Sequence, residues 1–205
     1  MSNKIITIGR EFASGGRLIG KELADRLGVT YYDKNILDHI AEKNGYSVEM
    51  IEEDERRAKN GFFYSLSNAF GAAGYGPDTL SINEKFFIAP FEYILELAKE
   101  GNGGVIVGRC ADYVLRDFDD AVNVFIFADE ASKIKRATEV YGLDADDVKK
   151  YMGDMDKARA NYYKYHTGQK WGEMRNYDLS IDSSNLREKD VADLILKYVD
   201  MRYQA

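Results

Sequence analysis

The segment that most constrains the fold is residues 4–27, where an apolar β-branched run leads into a glycine-rich loop and then into a helical pattern. The loop reads Gly9-Arg10-Glu11-Phe12-Ala13-Ser14-Gly15-Gly16-Arg17. Backbone N–H groups in such a loop, together with the positive end of the following helix, solvate an anion without any particular side chain. The order strand, glycine loop, helix therefore predicts a cradle for phosphate. The open alternative is an ordinary strand-to-helix turn whose glycines relieve crowding.

The loop departs from the common phosphate-loop pattern G-x-x-x-x-G-K-[ST]. It has five residues between Gly9 and Gly15, and Gly16-Arg17 stands where Lys and Ser or Thr would be. Arg17 is then the nearest cation for the β- and γ-phosphates, and Arg10 is the second. Ser14 is the only hydroxyl in the loop that could sit near a metal ion. The predicted phosphate-binding residues of the loop are Gly9, Arg10, Ser14, Gly15, Gly16 and Arg17.

Further apolar runs alternate with helical patterns along the rest of the chain. Uninterrupted apolar runs separated by helices are typical of parallel strands covered on both faces. The predicted strands cover residues 29–32, 105–107, 122–127 and 177–181. The predicted helices cover residues 34–43, 47–59, 81–99, 129–141, 144–165 and 186–203. The sequence therefore predicts a single α/β domain over residues 1–205, with an insertion at about 45–80 and a lid-like segment at about 144–176.

Polar side chains follow three of the predicted strands. Ligands of open α/β sheets bind at the carboxyl ends of the strands, where the glycine loop, Asp33 and Arg109 should converge. The planar guanidinium of Arg109 suits bidentate capture of a phosphate, or it pairs with Asp33 or Asp112 to tie loops together. Asp33 either holds a metal ion or a substrate hydroxyl, or caps the next helix.

Residues 156–171 supply cations and aromatic rings together. Such a segment can close over a triphosphate and bring positive charge to the transferring group. The alternative is an amphipathic helix with solvated lysines. Arg136 and Arg159 are the cations that we single out in this part of the chain.

The segment of residues 60–79 has a different character, because it is rich in Gly, Phe and Tyr and carries almost no charge. Long glycine-rich aromatic segments rarely pack as regular structure within a small domain, so we expect a mobile or partner-covered insertion. Exposed aromatic patches usually mark a partner. A homo-oligomer formed through this insertion is therefore a further hypothesis.

Composition limits the class of partner and the compartment. The net charge of −7 disfavours nonspecific coating of nucleic acid or of an anionic membrane. With 45% hydrophobic and 31% charged residues the chain reads as globular, and no apolar run approaches the length of a membrane span or an export signal. The single cysteine, Cys110, excludes an intramolecular disulfide and favours a reducing, cytoplasmic location.

Taken together, several stretches resemble the cytidylate kinase-like proteins, relatives of bacterial cytidylate kinase among the nucleoside monophosphate kinases. The stretches are residues 8–17, 23–28 with 31–33, 107–109, and 162–171 with 177–179. The resemblance implies a P-loop kinase-like three-layer αβα fold with a parallel central sheet, a helical insertion that binds the monophosphate, and a lid. It also implies ATP and Mg²⁺ as cofactors.

Carried over by position, residues 14–17 line the ATP phosphates, and Arg109 matches the arginine that grips the acceptor phosphate. Asp33 matches the aspartate that closes the second strand, and Arg136 and Arg159 lie in the region of the lid arginines. Two departures stand out. Gly16 replaces the P-loop lysine of true cytidylate kinases, and Cys110 stands where they carry aspartate.

Two functional hypotheses follow. The leading one is an ATP-dependent phosphotransferase that uses Arg17, Asp33, Arg109 and Arg159 in catalysis and transfers phosphate to a nucleoside monophosphate or another small acceptor. The alternative is a nucleotide- or phosphate-binding protein that keeps the kinase fold without transfer activity. Both hypotheses predict small-molecule ligands. Neither hypothesis predicts a nucleic-acid partner or a membrane partner.

Overall fold

The computed structural model describes residues 4–45, 47, 49 and 82–204. Its described strands form one five-stranded sheet in which every neighbouring pair is parallel. The strands are β1 (Ile5–Arg10), β2 (Tyr31–Tyr32), β3 (Gly104–Val107), β4 (Ala121–Phe127) and β5 (Leu179–Asp182), in the spatial order β2-β3-β1-β4-β5. Strand β1 is central, with Ile5 opposite Gly104 on one side and Ala121 on the other.

Helices cover both faces of the sheet. In chain order they are α1 (Gly16–Leu27), α2 (Ile36–Asn44), α3 (Ile82–Glu100), α4 (Ala111–Val114), α5 (Glu130–Glu139), α6 (Val148–Thr167) and α7 (Glu188–Gln204). A short 3₁₀ helix, Met174–Asn176, precedes β5.

The alternation of side chains along β1 divides the core into two halves. Ile6 and Ile8 pack in one cluster with residues of α1 and α7, such as Leu23 and Ile195. Ile5 packs in the other cluster with residues of α2, α3 and α4. Because successive strand residues point to opposite faces, a continuous apolar run can bury both faces of the central strand.

A third, smaller cluster holds the glycine loop against helices α5 and α6. Its buried members are Ala13, Ala137, Val148 and Met152, with Phe12 packed against them. The loop is thus packed against α6, which lies within the segment that the sequence predicts as lid-like, and against α5 just before that segment.

Predicted and observed elements agree closely in the described part of the chain. The predicted strands and most of the predicted helices are confirmed, with ends that move by up to four residues. Helix α4 was not predicted, because four residues are too few to show a helical period. The predicted helix at residues 47–59 and the predicted insertion at residues 60–79 lie outside the described residues. None of the described helices is both long enough and apolar enough to cross a membrane.

Candidate active site

A cavity of about 330 Å³ lies at the carboxyl ends of β1 and β3, beside helix α6. Four of its lining side chains are cationic and two are acidic: Arg10, Lys34, Arg109, Arg159, Asp33 and Asp112. Aromatic residues also line it, namely Tyr162, Tyr163 and Trp171. A cationic cavity of this size with aromatic walls suits a small anionic ligand. The structure therefore brings together the three strand ends whose convergence the sequence predicted.

The glycine loop leads into α1 with an unusual backbone. Ala13 has φ 57° and Gly15, at the N-cap of α1, has φ 86°. Among the described residues no side chain caps the first turn of α1, and that turn contains no acidic residue. The positive end of the helix dipole is therefore not neutralised by the helix itself, which favours an anion at this turn.

Gly16 stands where phosphate loops carry lysine, and the structure gives the physical reason for glycine. A Cβ added to Gly16 would lie 2.5 Å from Cβ and 2.9 Å from Cγ of Arg10. The aliphatic stem of Arg10 thus occupies the space that a side chain at position 16 would need. The guanidinium of Arg10 lies further away, against Gly108 and Asp33.

Asp33 is held by two arginines. Arg17 Nε donates to Asp33 Oδ2 at 2.6 Å, and Arg10 Nη2 lies 3.6 Å from Asp33 Oδ1. Asn35, not Asp33, is the N-cap residue of α2. The interpretation of Asp33 as a helix cap is therefore wrong, and its carboxylate instead orients the cations beside the loop.

The two arginines of this pair differ in their surroundings. The side chain of Arg17 is 55% exposed, whereas that of Arg10 is 16% exposed. Burial, together with the nearby positive charge of Arg159, lowers the pKa of Arg10 to about 10. Arg10 remains charged at neutral pH, and a guanidinium buried near another is stabilised by an anionic ligand.

Arg109 sits on a strained turn at the end of β3. Gly108, Arg109 and Cys110 have φ values of 84°, 57° and 54° in succession. Left-handed backbone at non-glycine residues costs about 1–2 kcal/mol per residue and clusters at functional sites. The turn places the guanidinium of Arg109 over the ring of Tyr162, with its Cζ 5.9 Å from the ring centroid. Cys110 is buried and burial raises the pKa of its thiol, which fits a packing role better than a nucleophilic one.

Helix α6 contacts the glycine loop through one carboxylate. The backbone N–H of Phe12 donates to Asp156 Oδ1 at 2.6 Å. Arg159, one turn further along α6, donates from Nη1 to the same oxygen at 3.1 Å and lies 3.4 Å from the carbonyl oxygen of Arg10. Arg159 thereby reaches the junction of the loop and the cavity, and its role as a lid arginine stays a prediction.

Helix α5 adds a lysine to the contact between α6 and the glycine loop. Lys133 Nζ donates to Glu11 Oε2 at 2.9 Å and lies 4.0 Å from Asp156 Oδ2. Glu11 Oε2 also accepts a hydrogen bond from the backbone N–H of Ala128 at 3.3 Å. The sequence analysis gave no role to Glu11, Lys133 or Asp156, because their pairing depends on helix packing rather than on spacing along the chain.

Two predicted residues of the nucleotide site have their polar atoms engaged within the protein. The hydroxyl of Ser14 is buried and donates to the carbonyl oxygen of Glu11 at 2.9 Å. Arg136 Nη1 donates to the carbonyl oxygen of Ala13 at 2.8 Å, and its Nε lies 3.3 Å from Glu188 Oε1. Their roles at a metal ion and at the ATP phosphates stay predictions.

Asp112 is a lining residue of the cavity to which the sequence analysis gave no functional role. It lies three residues after Arg109, is buried, and accepts a hydrogen bond from the Tyr163 hydroxyl at 2.7 Å. Burial raises the pKa of its carboxyl group to about 6. The available signal was its position just past a buried strand, where we considered it only as a pairing partner for Arg109.

Comparisons with known proteins bear on the family and the fold of the chain. The chain is 20% identical over 197 residues to a cytidylate kinase of Thermoplasma volcanium, which covers 95% of this chain and 90% of that protein. A crystal structure of an uncharacterized protein from Eubacterium ventriosum matches with a TM-score of 0.72 at 30% identity, over 96% of this chain and 98% of that chain. Shikimate kinase from Acinetobacter baumannii, solved with shikimate, matches with a TM-score of 0.52 at 15% identity, over 98% of this chain and 96% of that chain.

These matches confirm the predicted three-layer P-loop kinase-like fold. The family model for the cytidylate kinase-like family matches residues 5–185, which include the glycine loop, the cavity and helix α6. The chain therefore belongs to the cytidylate kinase-like family.

Proposed function

We propose that the protein is an ATP-dependent phosphotransferase that binds ATP with Mg²⁺ at residues 9–17 and a small phosphorylated acceptor in the cavity. The observation that carries this proposal is that three arginines from separate parts of the chain, Arg10, Arg109 and Arg159, line one cavity at the carboxyl ends of β1 and β3. Phosphoryl transfer needs positioning and positive charge around the transferring group rather than a covalent intermediate.

Each cation has a place in the proposed reaction. The amide groups of the first turn of α1 would hold the phosphates of ATP, and Mg²⁺ would add positive charge to these phosphates. Arg10 and Arg159, which meet where Arg159 Nη1 lies 3.4 Å from the carbonyl oxygen of Arg10, bring positive charge to the transferring group, and Arg109 holds the phosphate of the acceptor. Asp33, fixed by Arg17, accepts a hydrogen bond from the acceptor or binds the metal ion.

A second candidate function is nucleotide or phosphate binding without transfer. It is favoured by the missing lysine at position 16 and by the pairing of Arg17 with Asp33, which engages the cation nearest the loop. Binding of ATP without turnover, together with an Arg17→Ala variant of unchanged nucleotide affinity, would favour this second function.

Coupled ADP release with a panel of nucleoside monophosphates and small hydroxylated metabolites tests the main proposal. We expect Arg109→Ala to lower kcat/KM for the acceptor about 100-fold or more, since it removes a preorganised charge. Arg109→Lys should restore part of this loss. Arg116→Ala, a change at an exposed arginine beyond α4, is the matched control and should leave activity unchanged. No ADP release with any acceptor, and no increase in Tm with ATP, would contradict the proposal.

A further inference from the structure

Two consecutive carbonyl groups of the glycine loop are bound by side chains from remote parts of the chain. The hydroxyl of Ser183, the residue directly after β5, donates to the carbonyl oxygen of Ser14 at 2.7 Å, across 169 residues of chain. Arg136 Nη1, from α5, donates to the carbonyl oxygen of Ala13 at 2.8 Å. The backbone just before α1 is therefore held in place by donors that belong to other elements.

The surroundings of Ser183 assign its hydroxyl hydrogen to the loop. The residue is buried, and two carbonyl oxygens lie within reach of its Oγ, that of Ser14 at 2.7 Å and that of Phe127 at 3.0 Å. A hydroxyl donates one hydrogen only. The carbonyl oxygen of Phe127 already accepts the backbone N–H of Ser183 at 2.9 Å. The hydroxyl hydrogen therefore goes to Ser14, the nearer of the two oxygens.

The direction of the Ser14 carbonyl sets the direction of the next amide. In a planar trans peptide the C=O and N–H bonds point to opposite sides. Because the carbonyl of Ser14 points toward Ser183, the N–H of Gly15 points away from it. Within the described part of the chain, no backbone carbonyl accepts a hydrogen bond from this N–H. The amide of Gly15 is thus available to a ligand of the loop.

The backbone around Gly15 has a shape that suits an anion. Ala13 and Gly15 both have left-handed backbone, with φ of 57° and 86°, directly before the first turn of α1. Left-handed residues that alternate with right-handed ones line up successive N–H groups along a concave surface. Left-handed backbone at alanine costs free energy and persists only where surrounding contacts hold it. The hydrogen bonds from Arg136 and Ser183 are contacts of this kind.

We infer that Ser183 is a positioning residue of the phosphate site, which holds the carbonyl of Ser14 away from the phosphates of ATP so that the amide of Gly15 faces them. The inference rests on the ATP site of the proposed function. In this role Ser183 does not touch ATP and acts through the loop backbone. A carbonyl oxygen turned toward a phosphate would repel it, so fixing the peptide beforehand spares the loop this reorganisation when the anion binds.

Binding of ATP with Mg²⁺, measured by calorimetry without an acceptor, tests this role. We expect Ser183→Ala to weaken ATP binding about tenfold, because it removes one buried hydrogen bond that fixes the loop. Ser183→Cys keeps nearly the same volume with a weak donor, and should weaken binding in the same direction. Ser180→Ala, at an exposed serine of β5, is the matched control and should bind ATP like the parent protein.

The amide resonance of Gly15 separates positioning from a general loss of stability. In ¹H–¹⁵N spectra of the parent protein, ATP should move the amide proton of Gly15 downfield as it forms a hydrogen bond with a phosphate oxygen. The shift should be much smaller in Ser183→Ala and in Ser183→Cys at a temperature where circular dichroism shows both to be folded. If Ser183→Ala does not fold, Ser183→Cys supplies both readouts.

The inference is overturned if the parent protein does not bind ATP, if the Ser183 variants bind ATP as tightly as the parent does, or if they keep the full shift of the Gly15 amide. Because the measurement contains no acceptor, the two proposals fail separately. ATP binding that depends on Ser183 without any ADP release contradicts phosphoryl transfer alone. ADP release with unchanged ATP binding in the Ser183 variants contradicts the positioning role alone.

Discussion

At Gly16 the backbone of the glycine loop lies so close to the side chain of Arg10 that a Cβ atom has no room. The close approach of the Arg10 stem leaves no room for a side chain at position 16. Arg10 in turn lies against Gly108, where an added Cβ would collide with its guanidinium. Two glycines on different elements thus make room for one buried arginine.

Gly16→Ala should therefore destabilise the protein by about 1–3 kcal/mol, the usual cost of overpacking, and weaken ATP binding. Urea unfolding and calorimetry would measure the two effects. The control is Gly153→Ala in helix α6, where an added Cβ meets nothing within 4 Å. That change should stabilise the protein by up to about 1 kcal/mol, because alanine is the better helix former. A neutral Gly16→Ala variant would contradict the packing explanation.

His166 is a second single residue with a predicted effect, in this case on how the stability of the protein depends on pH. It is buried on α6 among the rings of Phe91, Tyr162 and Tyr165, and burial lowers its pKa to about 3. Its ordinary pKa is near 6.5, so below that pH the unfolded chain binds a proton that the folded chain does not. Stability from this group is present above pH 6.5 and is lost as the pH falls toward 3.

We expect His166→Gln to flatten the loss of Tm between pH 6.5 and pH 4.5, as followed by circular dichroism. The same substitution at His39, which is exposed on α2, measures what the loss of any one imidazole does. A His166→Gln variant that keeps the full acid sensitivity of the parent would show that another group causes it.

At the scale of elements, the contact between α6 and the glycine loop depends on Asp156. This carboxylate accepts from the amide of Phe12 and holds Arg159, while Lys133 links it to Glu11. Helix α6, which carries the candidate catalytic residue Arg159, therefore packs directly against the glycine loop.

Asp156→Asn should loosen this contact, because a neutral amide oxygen is a weaker acceptor for the Phe12 amide and no longer pairs with Arg159. Hydrogen exchange should become faster at Phe12 and along α6 by about tenfold, and kcat should fall with Arg159 displaced. Asp154→Asn, at an exposed aspartate of the same helix, should change neither quantity. Unchanged exchange at Phe12 in Asp156→Asn would show that the loop is held by other contacts.

At the scale of the whole molecule, helix α7 completes one half of the core. Residues of α7 pack in one cluster with α1 and with the central strands β1 and β4. Because α7 packs on the central strands, loss of its packing should affect the whole sheet rather than one edge.

Two adjacent residues of α7 allow the contribution of its packing to be tested. Ile195 is fully buried and Leu194 is 49% exposed. Ile195→Ala should lower the free energy of unfolding by about 2–5 kcal/mol, while Leu194→Ala should cost well under half as much. Equal costs in urea denaturation would place the end of the chain outside the cooperative core.

The sequence by itself determined the order of strands and helices, the parallel sheet and the meeting of Asp33, the glycine loop and Arg109 at one edge. These features follow from local causes, namely hydrophobic periods and the position of polar residues at strand ends. Only the tertiary structure decided that the stem of Arg10 excludes a side chain at position 16, and that Asp156 binds the amide of Phe12 across 144 residues of chain. Such contacts depend on the distance and rotamers of side chains from remote segments, which no local pattern encodes.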